Sequence, residues 1–227
     1  GDTGLATSAQ LKRPNHVAVD AAGNLYIADT ANHRIRLVTA GSGVITTIAG
    51  TGTPGFNGDG LAATSTDLFQ PFNIALNSAG TVYFVDLLNY RVRKIFGGNV
   101  ITVAGNGSEG ADGDGGLAVN AQLSPHSISF DDDDNLYIST GPGCRVRMVR
   151  PNGVISTVVG TGECTSRNFG FPEPYPALSA NMREPFGITH DGGKLYIAEI
   201  GNGRLQELKT LAPPTAPLTP VATPGNG

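Results

Sequence analysis

Six side chains carry most of the chemistry this sequence offers. His16 and His126 supply imidazoles, Asn73 an amide, and Asp29, Asp86 and Glu199 carboxylates. These are the groups that hold a divalent cation or move a proton. The first three lie within two residues of a proline (Pro14, Pro71, Pro125), and the last three follow apolar runs such as Leu25-Tyr26-Ile27-Ala28. Two glycine-aspartate elements, Gly58-Asp59-Gly60 and Asp112-Gly113-Asp114-Gly115-Gly116, have the composition of a phosphate cradle or calcium loop. Neither has the Gly-Lys-Ser/Thr ending of a phosphate loop or the ligand spacing of an EF-hand. They read instead as connections whose glycines supply positive φ. No Ser-His-Asp order and no paired-carboxylate arrangement stands out.

The remaining polar residues have structural readings. Arg34 and Arg36, Arg91 and Arg93, Arg145 and Arg147, and Arg204 lie on alternating runs. They could fork onto phosphates, but an acid precedes three of the groups (Asp29, Asp86, Glu199) and offers an internal partner. Asp131 to Asp134 fill a turn that is Ala-Gly in other copies, and His190 replaces an aliphatic residue and should pack half-buried. Asn106-Gly107-Ser108 is a glycosylation triplet on a loop.

What must position these groups is a repeat. Pro14, Pro71, Pro125 and Pro185 recur at intervals of 54 to 60 residues, each followed by a short alternating strand A, for example His16-Val17-Ala18-Val19. A turn leads to strand B, with Tyr26, Tyr83, Tyr137 and Tyr196 in register. Strand C carries the arginines on one face and aliphatics on the other, and strand D reads Val44-Ile45-Thr46-Thr47-Ile48-Ala49 in the first copy. The fourth copy lacks a clear strand D. The four tyrosines read as packing residues between adjacent units. Cys144 begins strand C and Cys164 follows strand D of one copy, where an antiparallel course brings the ends together, so the two are expected to form a disulfide.

The residues NLYIAD, NHRIRLV and GVITTIAG, with the connection GTGTPGFNGDGLAATSTDLFQP, resemble NHL repeats of the bacterial secreted type from about Leu5 to Lys209. The resemblance implies an all-β, propeller-like array of four NHL-type four-stranded blades. That family usually closes six blades, so four units imply a segment of a larger propeller or an unusual ring. Residues 1–210 would form this region and 211–227 a Pro/Thr-rich tail or linker, in which 218–223 faintly echo the missing strand. Propeller enzymes of lactonase or lyase type keep their chemistry at the channel mouth, and there the resemblance places His16, Asn73, His126, Asp29, Asp86 and Glu199 as ligand-binding candidates.

Composition narrows the function. With 32 Gly, 15 Pro and 15% charged residues, the chain favours short strands and tight turns. A net charge of −4 gives no field to attract nucleic acid, and no apolar run approaches a membrane span, so neither partner is expected. The expected role is an extracellular, periplasmic or cell-surface module that binds protein or glycan. The alternatives are a metal-dependent channel enzyme and a self-assembling structural subunit. No cofactor is expected beyond a divalent metal such as calcium in the enzyme alternative.

Overall fold

The computed structural model describes residues 1–164 and 177–209. Each alternating run becomes a strand because its apolar face can be buried only against another sheet. Blade 1 contains β1 (His16–Val19), β2 (Leu25–Asp29), β3 (Arg34–Val38) and β4 (Ile45–Ala49). Blade 2 has β5 (Pro71–Leu76), β6 (Val82–Asp86), β7 (Arg91–Phe96) and β8 (Asn99–Ala104). Blade 3 has β9 (Ser127–Phe130), β10 (Leu136–Thr140), β11 (Arg145–Val149) and β12 (Ile155–Val159). In blade 4 the described strands are β13 (Pro185–Asp191), β14 (Lys194–Glu199) and β15 (Arg204–Lys209). All pairings are antiparallel and follow chain order. The fold is therefore the all-β, propeller-like array of four blades that the sequence implies. The fourth blade is a three-stranded sheet among the described residues, in keeping with the absence of a clear strand D in that copy. The tail segment 218–223, which echoes that strand in sequence, lies outside them.

The core is built between blades. Strand A of each following blade lies against strand B of the one before, so Ala28, Ile35 and Ala49 of blade 1 form one cluster with Ile74, Phe84 and Val100 of blade 2. Val85, Val92 and Ala104 likewise meet Ile128, Ile138 and Ile155, and blade 3 meets blade 4 through Val146, Val159, Ile188 and Ile197. The four strand-B tyrosines occupy equivalent positions. Tyr83 packs edge-on against Phe130 of the next blade at 4.8 Å, and Tyr137 stacks on His190 at 6.3 Å. His190 is half-buried, as expected of a residue standing where Leu76 and Phe130 stand.

Strands C and D shift register at the same place in three blades, at Ile35/Arg36, Val92/Arg93 and Val146/Arg147. The bulge bends the strand at the second arginine of each pair. The glycine-aspartate connection then runs along the outer edge of the blade it leads into. Leu5, Ala62 and Leu117 each make a bridge to the strand-D side of that blade, at Val44, Asn99 and Val154. The loop thereby occupies backbone groups that an open sheet edge would leave unpaired. Cys144 and Cys164 form a disulfide, with Cα atoms 5.3 Å apart, that fastens the blade 3 turn to the segment leaving strand D. The same turn position is tied to the following connection in blades 1 and 2. His33 Nδ1 accepts from Gln70 N at 3.1 Å, and the Tyr90 hydroxyl donates to Glu109 at 3.4 Å.

Candidate functional site at the strand A entries

The proline that starts each strand A sets where the next side chain goes. In three blades the residue before it holds a left-handed conformation, at Arg13, Gln70 and Glu184, which turns the incoming connection sharply into the strand. The residue after the proline is Asn15, Phe72, His126 or Phe186 in the four blades. Three of these come together: the His126 ring lies 4.6 Å from Phe186 and 6.1 Å from Phe72, and the two phenylalanines are 5.7 Å apart and edge-on. All three are only partly buried. His126 Nδ1 sits 3.2 Å from the Ser124 carbonyl oxygen. A carbonyl only accepts, so the neutral ring donates from Nδ1 and presents Nε2 as an acceptor. Burial holds the His126 imidazole below its usual range, which keeps this neutral form at pH 7.

His16 and Asn73 stand one position later, and they face the neighbouring blade. His16 Nδ1 accepts from Ile74 N at 3.4 Å, and Asn73 Oδ1 accepts from Ile128 N at 3.1 Å. Ser127 repeats the bond with Ile188 N at 3.4 Å. One side chain from each of the first three strand A segments thus ties it to the next strand A.

The three acids lie at the far end of strand B, and each closes its own blade. Asp29 is fully buried and accepts from Lys12 N, Asn32 and Arg36. Asp86 repeats the set with Phe69 N at 2.7 Å, Asn89 at 2.9 Å and Arg93 at 3.3 Å. Burial pushes its carboxyl up to about 6 against the pull of those partners. Glu199 accepts from Arg183 N at 2.8 Å, Asn202 at 2.7 Å and Arg204 at 2.7 Å, and from Gln206. In blade 3 the residue at this position is Thr140, whose hydroxyl donates to the Arg145 carbonyl at 3.0 Å. The strand registers set the ends of strand B opposite the starts of strand A, and there the six candidates differ in their bonds: His126 is an entry residue, His16 and Asn73 are blade-to-blade stitches, and Asp29, Asp86 and Glu199 are buried caps.

The arginines complete the internal accounting. Arg36, Arg93 and Arg147 are buried, and each reaches the aspartate of the connection on its own blade: Asp2 at 2.5 Å, Asp59 at 3.0 Å and Asp114 at 2.6 Å. Asp59 also accepts from Thr102 N and Oγ1, both at 2.9 Å, and Asp114 from Thr157 N at 3.0 Å. The glycine-aspartate elements are therefore clips that hold the connections down. In the acidic turn, Asp134 bonds Ser78 of blade 2 through N and Oγ. Among the described residues no three His, Cys, Asp or Glu side chains converge as a metal site, and no helix is long and apolar enough to cross a membrane. Sequence reasoning missed Phe72 and Phe186, although the signal was there: three of the four residues after the repeated prolines are rings.

The fold, with its outer edge covered by the connection and its core between sheets, is that of a propeller-type blade array. Residues 11–36 match the family model of the NHL repeat, which bears out the resemblance for the repeat and the fold. Over 217 residues the chain is 28% identical to the protein SUPPRESSOR OF QUENCHING 1, chloroplastic, of Arabidopsis thaliana, covering 91% of this chain and 20% of that protein. Among solved structures it is similar to an auxiliary nutrient binding protein from Bacteroides ovatus (TM-score 0.64, 18% identity, 88% of this chain and 48% of that one). It is also similar to a catalytically inactive virginiamycin B lyase from Staphylococcus aureus (TM-score 0.54, 17% identity, 91% of this chain and 58% of that one). The chain thus spans about a fifth of the plant protein and about half of each solved chain.

Proposed function

We propose that this chain is a binding module whose ligand seats on the Phe72, His126 and Phe186 cluster. The observation that carries the reading is that cluster: three rings from three blades, partly exposed, around one free imidazole acceptor. Apolar ring faces with a single polar contact suit a ligand that has an apolar face and one hydrogen-bond donor. The C–H face of a sugar ring and an apolar side chain beside a backbone amide both meet that description, so the partner is a glycan or a protein. His16, Asn73, Asp29, Asp86 and Glu199 support the site by fixing the blades that carry it. The Cys144–Cys164 disulfide supports an oxidising location, whether extracellular, periplasmic or at the cell surface.

The test is binding to arrays of immobilised oligosaccharides and of peptides, followed by titration of the strongest ligand into wild type, Phe72→Ala and Phe186→Ala. Loss of binding at an unchanged melting temperature supports the site. Undiminished binding by both variants removes the ligand from this cluster.

A further inference from the structure

Blade 3 departs from the way the other blades hold the turn between strands B and C. In blades 1, 2 and 4 the acid that ends strand B accepts from an asparagine three residues on, Asn32, Asn89 or Asn202. The same acid accepts from a backbone N–H of the segment entering strand A, at Lys12, Phe69 or Arg183. A third tie runs the other way, from a backbone N–H of the turn (Ala31, Leu88 or Ile200) to a carbonyl of that entering segment. Among the described residues blade 3 makes none of the three. Thr140 and Gly143 replace the acid and the asparagine, and Leu123 N bonds the Ser108 carbonyl instead. Pro142 stands where Ala31 and Leu88 donate, and a proline has no N–H. Restoring an asparagine at position 143 would not repair the cap, because a Cβ there would stand 2.7 Å from Thr140 Oγ1.

What holds this turn is the disulfide, and the turn lies against His126. Cys144 Sγ is 3.5 Å from the Gly141 carbonyl oxygen and Cys164 Sγ is 3.0 Å from that of Pro142, so both sulfurs rest on the turn's backbone. Gly141 packs on the imidazole: a Cβ there would stand 3.2 Å from His126 Nδ1 and 3.3 Å from Cε1. The other blades carry Thr30, Leu87 and Ile200 at that place, all bulkier. The blade that brings an imidazole to the ring cluster is thus the one with a glycine against it and a disulfide in place of the cap. We propose that the Cys144–Cys164 bond is a positioning device: through Gly141 it fixes the His126 ring so that Nε2 is presented, and its reduction releases the ring. The consequence for binding rests on the reading that the ligand seats on Phe72, His126 and Phe186. Cys164 is exposed and Cys144 fully buried, so a small dithiol meets Cys164 first. Its thiolate attacks Cys164 Sγ, the sulfur–sulfur bond breaks, and Cys144 leaves and takes up a proton. The reductant's second sulfur then closes on the mixed disulfide and Cys164 leaves as a thiol. Two electrons have passed to the cysteines, and the dithiol departs as its own disulfide.

The readout is the Cε1–H proton NMR resonance of His126, assigned by its loss in His126→Gln, with the resonance of His16 in blade 1 as internal control. Dithiothreitol added to the 227-residue chain should shift the His126 resonance and move its titration midpoint up towards the ordinary imidazole range, while His16 stays in place. The double variant Cys144→Ser, Cys164→Ser should show the shifted resonance without reductant. Gly141→Val keeps the disulfide and should shift it too, which separates the contact on the ring from the stability the bond lends. For the array oligosaccharide or peptide that wild type binds most tightly, the double variant should lose about tenfold in affinity, the weight of one hydrogen bond. A His126 resonance unmoved by reduction, or unmoved in Gly141→Val, overturns the proposal. If His16 shifts as far as His126 on reduction, the bond acts on the whole fold and the positioning role is likewise overturned. A shifted imidazole with unchanged affinity supports the positioning role and removes the ligand from the ring cluster instead.

Discussion

Arg93 illustrates how this molecule uses charge. Its guanidinium is fully buried and holds Asp86 behind it and Asp59 in front, so one side chain joins strand B, strand C and the incoming connection. The pairing of acid and arginine was legible in the sequence from spacing alone. The second partner was not, because Asp59 lies 34 residues before Arg93 and only the course of the connection brings them together. The elevated Asp86 carboxyl gives this network a pH signature. The native state keeps its proton to about 6, while the unfolded chain releases it near 3.8. Between those values unfolding releases a proton, so the contribution of this group to stability falls as pH rises through the window and is level above it. Asp86→Asn removes the titration. The stability advantage of wild type over this variant should therefore be greater at the acid end of the window than at neutral pH. Urea denaturation of both proteins at each pH measures it, and an advantage that widens on going to neutral pH contradicts the assignment. Gly107 makes a second residue-scale prediction. Its φ is +95°, and a Cβ there would stand 2.5 Å from the Arg91 guanidinium. Gly107→Ala must displace an arginine and strain the backbone, at a cost on the order of 1–3 kcal/mol in a thermal or urea melt.

A blade on its own is a small sheet with two faces to bury, so its strands hold only as well as the contacts between sheets. Tyr83 lies between β6 and the Phe130 ring of the next blade. Truncation to Ala should cost on the order of 3 kcal/mol, and a variant with unchanged melting that loses ligand binding would instead make Tyr83 part of a ligand surface. The disulfide fastens blade 3 to its own exit, joining cysteines 20 positions apart in sequence. Reduction, or the double substitution of Cys144 and Cys164 by Ser, should lower stability by about 3 kcal/mol on the loop-entropy estimate. Free-thiol titration of the denatured, unreduced protein should find no reactive thiol. Strands, turns and this pairing were readable because side-chain alternation and repeat register reflect local burial. The bulge at the second arginine and the bridge from connection to strand D were not readable. Both are backbone hydrogen-bond arrangements, and the same side-chain pattern is compatible with a straight strand and a free loop.

At the level of the whole molecule, four blades were countable from the prolines, but the burial of each strand was not: Val17 and Val19 read like any strand A aliphatics, yet they are exposed in this chain. The same one-dimensional arrangement sets how stability is distributed. Apart from the contact of Phe72 with Phe186, the sheets pack between consecutive blades, so among the described residues blades 2 and 3 have two covered faces while blades 1 and 4 have one. Local opening should follow that count: amides of β6 and β10 should exchange with solvent most slowly, and those of β1 and β15 fastest. Hydrogen exchange read by mass spectrometry resolves these segments directly. Uniform protection across the four blades would contradict a nearest-neighbour stack and point to a single cooperative unit in which the ends are no weaker than the middle.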